Sequence, residues 1–205
     1  MARRTLFAGM MALAAFGTDA ACAAEPENIF PVFKTFCIDT QADVARIQAA
    51  VEAAGGKNTG VIVSGGGESI HTGGHDWALP GFGQPLMVEF RTILLPVPPS
   101  LPPRNSGTSC SISGAGDKAA ITSAAAAWAA VPASFASHGM VLYEFRDDGA
   151  GHVYPDEAHD GDAGRRKLFL AGNFWQLFVE RDGDNTRLEL RHIDPASDPA
   201  PRPTP

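Results

Sequence analysis

Basic residues are scarce in this chain, which has 16 Lys and Arg against 23 Asp and Glu over 205 residues. The formal net charge is therefore −7. Proteins that bind nucleic acids or anionic membrane surfaces do so mainly through Lys and Arg. The acidic balance argues against both kinds of partner, and we expect no nucleic acid among them.

Long apolar runs are also lacking. The run from Thr5 to Gly17 is too short to span a membrane, since a spanning helix needs about 20 apolar residues. It follows Arg3 and Arg4 and precedes small residues that end at Ala24, the order of a cleavable export signal. We predict a signal peptide over 1–24, a mature chain without a transmembrane segment, and a periplasmic or secreted location.

Cysteine is rare, with three in the chain. Cys22 is removed with the predicted signal, and Cys37 and Cys110 remain for an oxidising compartment. A structural disulfide between them would close a long loop and stabilise the fold by about 4 kcal/mol in the chain-entropy model. Metal ligation and free thiols are the alternatives.

Familiar catalytic motifs are missing as well. The sequence contains no G-x-S-x-G, no H-E-x-x-H, no P-loop and no G-x-G-x-x-G. Enzymes that use these motifs are excluded. A hydrolase with an unrecognised site remains an alternative, because paired carboxylates leave no fixed spacing in a sequence.

Two helices are predicted from apolar periodicity and from their end signals. The first follows a capping Asp43 and ends at Gly55-Gly56, and the second runs from Asp117 to about Ala130. Their apolar faces recur at helical spacing. These faces comprise Val44, Ile47, Val51 and Ala54 in the first helix, and Ile121, Ala124, Ala125 and Trp128 in the second.

Strands are predicted where β-branched and aromatic residues cluster. These segments are 60–64, 86–95, 140–146, 167–171, 174–180 and 187–193. A strong turn signal over 181–185 makes the last two a hairpin. The Pro-rich segment 96–109 is predicted to be a connection unable to form a central strand, and 147–165 a polar loop.

These elements predict an α+β fold in which an antiparallel sheet is packed by two helices. We expect one domain over 25–193, with halves 29–95 and 108–193, and a disordered Pro-rich tail over 194–205. The halves could be duplicated. Asp43-x-Ala-x-Ile-x-x-Ala in the first helix has the same spacing as the motif that starts at Asp117.

Three features of the chain are similar to those of known proteins. They are the segment Cys37-Ile-Asp-Thr40, the Ala-rich helix and the segment Cys110-Ser-Ile-Ser113. With these motifs the chain resembles small exported bacterial proteins of uncharacterised function. The resemblance implies export and a paired cysteine, and it implies no activity.

One segment has residue types suited to a metal. His71 and His75 lie four residues apart, Asp76 follows, and glycines allow the backbone to wrap closely around an ion. These three residues are our candidate ligands for Zn²⁺ or Cu²⁺. The alternative is a Gly-rich hairpin with exposed histidines, and no other cofactor is expected.

A second polar cluster lies within 147–165. Its His and acidic residues could hold a cation, although the spacing of a calcium loop is absent, and a solvated acidic loop is the alternative. The members are His152, Asp156, Glu157, His159, Asp160 and Asp162. A joint site with the 64–77 segment requires that the two segments converge.

The three tryptophans are assigned to different environments. Trp128 on the helix face and Trp175 within a strand are predicted to be core residues, and Trp77 in a loop a surface contact. With no catalytic motif and lengthy polar loops, the leading hypothesis is an exported, non-enzymatic protein that binds another protein or a small ligand. A zinc- or copper-binding protein and a hydrolase are the alternatives.

Overall fold

Capping residues place the two long helices where the sequence predicts them. The computed structural model describes residues 28–62, 70–81, 86–96, 104–137 and 139–195. Asp43 and Asp117 precede α2 (Val44–Ala53) and α3 (Lys118–Ala129), and each carboxylate accepts a backbone N–H of the first turn, at 3.0 and 2.8 Å. Gly55, at φ 76°, follows the end of α2 in the left-handed conformation that favours glycine. Both predicted helices are confirmed.

Two further helices complete the set in the described residues. The short α1 (Phe30–Phe33) continues without a break into a π-helix (Lys34–Ile38). A 3₁₀ turn (Asp156–His159) leads into α4 (Gly161–Ala171). The segment around Phe33 and Cys37 is therefore helical.

Nine strands of the described chain form one open antiparallel sheet. They are β1 (Lys57–Ile62), β2 (Ile70–Leu79), β3 (Leu86–Pro96), β4 (Arg104–Gly114), β5 (Phe135–Ser137), β6 (Met140–Asp147), β7 (His152–Val153), β8 (Phe174–Asp182) and β9 (Asn185–Ile193). The order across the sheet is β1-β2-β3-β4-β9-β8-β6-β5, with β7 added to β6. The hairpin between β8 and β9 turns at Gly183-Asp184, as predicted.

One face of the sheet packs against α1, α2 and α3. Alternate residues of each strand point to this face. Pairing aligns Val88, Ile112 and Leu188 across three neighbouring strands, and the helices add Ile47 and Ile121. The side chains share one hydrophobic core, so the α+β class and the antiparallel sheet packed by helices are confirmed.

The predicted disulfide joins this core to the centre of the sheet. Cys37 of the π-helix and Cys110 of β4 are bonded, with Cα atoms 5.4 Å apart and a separation of 73 positions in sequence. Both residues are fully buried. Cys110 pairs with Phe90 on one side and Leu190 on the other, so the bridge fixes the helical segment to a strand with neighbours on both sides.

The opposite face carries charges of alternating sign. Neighbouring ion pairs link, in order, Asp76, Arg91, Glu89, Arg187, Glu189 and Arg191. Arg191 contacts Glu189 through two N–H groups, at 2.7 and 3.1 Å. Burial alone would raise the pKa of Glu189, but the guanidinium groups of Arg191 and Arg187 hold it below its ordinary value.

The prediction for 96–109 is wrong in its second half. Residues 104–109 belong to β4, which pairs along its length with β3 and in part with β9. The prolines of this segment end at Pro103, and the following residues have the backbone donors that a central strand needs. Because the whole segment was assigned from its overall proline content, the start of β4 was not predicted.

The prediction of a polar loop over 147–165 is wrong in part, and the prediction of a strand over 167–171 is wrong. Residues 161–171 form α4, which carries Leu168 and Phe169 onto the charged face of the sheet. There they pack with Ile93, Phe174 and Ile193. A short apolar run cannot be assigned to strand or helix from periodicity alone, and this one is a helix end.

The structure does not show duplicated halves. Cys37 lies in a π-helix whereas Cys110 lies in the middle of a strand, so the disulfide joins unlike positions. The predicted signal over 1–24 lies outside the described residues, as does most of the 194–205 tail. Within the residues that are described, no helix has the length and apolarity to cross a membrane.

Removing the disulfide is expected to lower the free energy of unfolding by about 4 kcal/mol, because the unfolded chain regains the freedom of a long loop. The variant is Cys37→Ala/Cys110→Ala, measured by urea unfolding. Reduced wild-type protein is the control and should show a similar loss. A change below about 1 kcal/mol would contradict the stabilising role.

Replacing the buried carboxylate of Glu189 is expected to cost about 3 kcal/mol near neutral pH, because Arg187 and Arg191 lose their shared partner. The pKa of Glu189 is lowered in the folded state, so its contribution is present above the unfolded value near 4.3. That contribution is lost as pH falls through the folded pKa. Unfolding of Glu189→Gln and wild type, followed from neutral to acidic pH, should therefore show a difference that shrinks on acidification.

The more exposed Glu180 is the matched control for this experiment. Its carboxylate lies 4.0 Å from Nε of Arg187, and Glu180→Gln should cost less than about 1 kcal/mol. A difference between Glu189→Gln and wild type that stays constant with pH would contradict the assigned linkage.

Candidate functional site

Aromatic side chains surround a cavity of about 230 Å³ between the sheet and the helices. Four rings line it, from Trp128, Phe145, His152 and Trp175. The other lining residues are Ile38, Gln41, Asp147 and Leu190. The cavity lies where β6 ends, β8 begins and α3 reaches its last turn, so several elements contribute one or two residues each.

The π-helix and the turn after it form one wall. Ile38 ends the π-helix, and Gln41 follows with φ at 55°. A non-glycine residue in this region is uncommon and costs energy unless its surroundings hold it. Backbone hydrogen bonds from Gln41 to Ile38 and from Ala42 to Cys37, at 2.8 and 2.9 Å, hold this turn. The disulfide at Cys37 connects the same turn to β4.

His152 is fixed at the end of α3. Its Nδ1 lies 3.0 Å from the carbonyl oxygen of Ala129, and since a carbonyl only accepts, Nδ1 carries the hydrogen. The imidazole lies against Phe145 and Trp128, with ring centroids 4.2 and 4.5 Å away. The three rings therefore form a packed cluster whose ring orientations are set by contact and by one directional hydrogen bond.

Trp175 also lines the cavity, and its ring packs against the ring of His192. Its ring lies 4.5 Å from that of His192, measured between centroids. Nδ1 of His192 is 3.3 Å from a carboxylate oxygen of Asp194, and the hydroxyl of Ser106 donates to the other oxygen at 3.0 Å. This series of contacts extends from β4 to the end of β9 and restricts the position of the indole.

Of the three tryptophan predictions, the one for Trp77 is wrong. Trp77 lies in β2, pairs with Val88 and is 2% exposed, so it is a core residue and not a surface contact. Trp128 and Trp175 pack against the core as predicted, but both are half-buried and line the cavity. Sequence reasoning missed the site. The available signal was that both residues lie near the ends of their elements.

The three candidate metal ligands all lie on β2. The ring of His75 stacks on that of Trp77, and the carboxylate of Asp76 accepts from Nη1 of Arg91 at 2.6 Å. Neighbouring residues of a strand point to opposite faces, so His75 and Asp76 do not face one common point. The side chain of His71 lies outside what the structure describes.

Among the described side chains, no group of three or more His, Cys, Asp and Glu is arranged to hold a metal ion. A zinc or copper site at His71, His75 and Asp76 stays a prediction.

The residues of the second polar cluster do not lie together in the structure. His152 joins the cavity, whereas Glu157 faces away and pairs with Arg146 at 3.2 Å. A hydrogen bond to its own backbone and the guanidinium of Arg146 outweigh burial and hold the pKa of Glu157 below its ordinary value. Four strands separate β2 from β6, about 24 Å along the sheet, so the described parts of the two clusters do not converge.

No family model, curated protein or solved structure matches this chain.

The left-handed conformation at Gln41 should make this position sensitive to side-chain shape. Gln41→Val is expected to lower the free energy of unfolding by about 2 kcal/mol, because a β-branched residue is strained at φ 55°. Gln41→Gly should change it by less than about 1 kcal/mol, since glycine accepts this φ but gains freedom when unfolded. Urea unfolding measures both.

Gln48→Val on the exposed side of α2 is the matched control and should cost no more than about 0.5 kcal/mol. Equal losses at positions 41 and 48 would show that backbone strain does not decide the result.

Proposed function

We propose that this chain is an exported binding protein that holds a small organic ligand in the aromatic cavity. The observation that carries the proposal is the partial exposure of Trp128 and Trp175 around one cavity beside the hydrophobic core. A tryptophan is usually mostly buried but seldom completely so, and a singly exposed apolar side chain needs no explanation. Two facing a common space support a ligand site.

The construction of the lining supports binding. Its residues come from the π-helix segment, α3 and four strands, and each ring is held by contacts that do not require a ligand. Such preorganisation lowers the entropy lost when a ligand binds. The described lining residues supply apolar contact, one amide, one imidazole and one carboxylate. This set suits recognition better than acyl transfer, which needs a nucleophile beside a base.

The size of the cavity favours a compact ligand. Sites for drug-sized molecules occupy about 300–1,000 Å³, and this cavity is smaller at about 230 Å³. A ligand of simple metabolite size would contact the rings and still reach Gln41 and Asp147 at the mouth. Apolar surface would supply most of the affinity and the polar groups its orientation.

Export rests on the signal-like N-terminal sequence and is supported by the disulfide. Disulfides persist mainly in oxidising compartments. A periplasmic or secreted location is therefore part of the proposal. A binding protein there would meet compact solutes from outside the cell.

Fluorine NMR of the full chain labelled with 5-fluorotryptophan tests the binding site directly. The three resonances are assigned with single Trp→Phe variants and followed during titration with compact amines, sugars, carboxylates and heteroaromatic compounds at millimolar concentrations. A ligand in the cavity is expected to shift the resonances of Trp128 and Trp175. Trp77 is the internal control, because it is buried in β2 and should not shift.

Two outcomes would count against the proposal. Equal shifts of all three resonances would indicate a general change in the protein. A panel that leaves Trp128 and Trp175 unmoved at millimolar concentration would contradict a small-molecule site in this cavity.

A further inference from the structure

The acidic residue at the mouth of the cavity indicates the charge of the ligand. Asp147 is exposed there, and neither Lys nor Arg is among the described lining residues. One carboxylate oxygen of Asp147 accepts the backbone N–H of Gly149 at 2.8 Å, which fixes the direction of the group. An anionic ligand would meet this charge and the net charge of −7 with neither Lys nor Arg among the described lining residues to offset them.

The aromatic lining favours a cation for a separate reason. The faces of indole and benzene rings carry negative potential, and Trp is the ring that attracts cations most strongly. Trp128 and Trp175 expose part of their surfaces to the cavity, and Phe145 of β6, which pairs with Trp175, also lines it. The attraction increases where a ligand displaces water from the ring surfaces.

The position of α3 adds a third contribution of the same sign. The carboxyl end of a helix carries a partial negative charge. Ala129 is the last residue of α3, and its carbonyl contacts His152 of the lining. The negative end of the helix is therefore directed at the ring cluster.

From these three features we infer that the cavity binds a compact alkylated ammonium ion, with its alkyl groups against Trp128 and Trp175 and its charge near Asp147. The inference rests on the proposed function and names the ligand class for the same site. An alkylated ammonium fits better than a primary amine because its charge is spread over apolar groups that the rings can contact. It also loses little hydration when it enters an apolar site.

Choline and its neutral isostere 3,3-dimethylbutan-1-ol separate charge from shape. The two molecules share a hydroxyethyl chain and three methyl groups and differ in the nitrogen that carries the charge. Titration of the 5-fluorotryptophan-labelled chain should show choline binding about tenfold more tightly, because attraction to the rings and to Asp147 is lost in the isostere. The resonances of Trp128 and Trp175 should shift and that of Trp77 should not.

Two matched variants test the carboxylate. Asp147→Asn should weaken choline binding about three- to fivefold and leave binding of the isostere unchanged. Asp148→Asn alters the next residue, which is exposed and is not among the lining residues of this cavity. It should change choline binding by less than about twofold.

Each contrary result has a definite meaning. Equal affinity for choline and the isostere, tighter binding of a neutral or anionic compound, or unchanged choline affinity in Asp147→Asn would overturn the inference and leave the proposed function standing. Failure of every compound to shift Trp128 and Trp175 would overturn both.

Discussion

The disulfide between Cys37 and Cys110 is the constraint on which both the fold and the site depend. It attaches the π-helix to β4, a strand with neighbours on both sides, so the first helical segment cannot move independently of the sheet. The turn after Cys37 holds Gln41 in a left-handed conformation at the edge of the cavity. The covalent bond therefore positions a cavity wall as well as restricting the unfolded chain.

Local signals predicted most of the fold. Asp43 and Asp117 cap helices because a carboxylate accepts the free backbone N–H groups of the first helical turn. This signal depends only on nearby residues, so it can be identified in the sequence. The pairing of β4 with β9 was not predictable, since it joins segments far apart in the chain and depends on packing of the whole sheet. The prediction failed at 104–109 because the whole segment was assigned from its proline content, although its last proline is Pro103.

The candidate site was less predictable than the fold, and the tryptophans show why. Helical periodicity correctly directed Trp128 toward the core, and position within a predicted strand did the same for Trp175. Neither signal can report whether neighbouring elements fill the space beyond them. A cavity is a property of several elements together, and this one is lined by residues between Ile38 and Leu190.

The order of the strands has a consequence for how the chain folds. Four strands, β5 to β8, lie between β4 and β9 in the chain. Until the final hairpin of β8 and β9 docks against β4, that edge of β4 is unpaired. Contacts of such long sequence separation slow folding, and open strand edges invite pairing with other chains. The pairing of β9 therefore protects the edge of β4 from other chains. The disulfide at Cys110 attaches the same strand to the π-helix, which limits the ways in which β4 could pair wrongly.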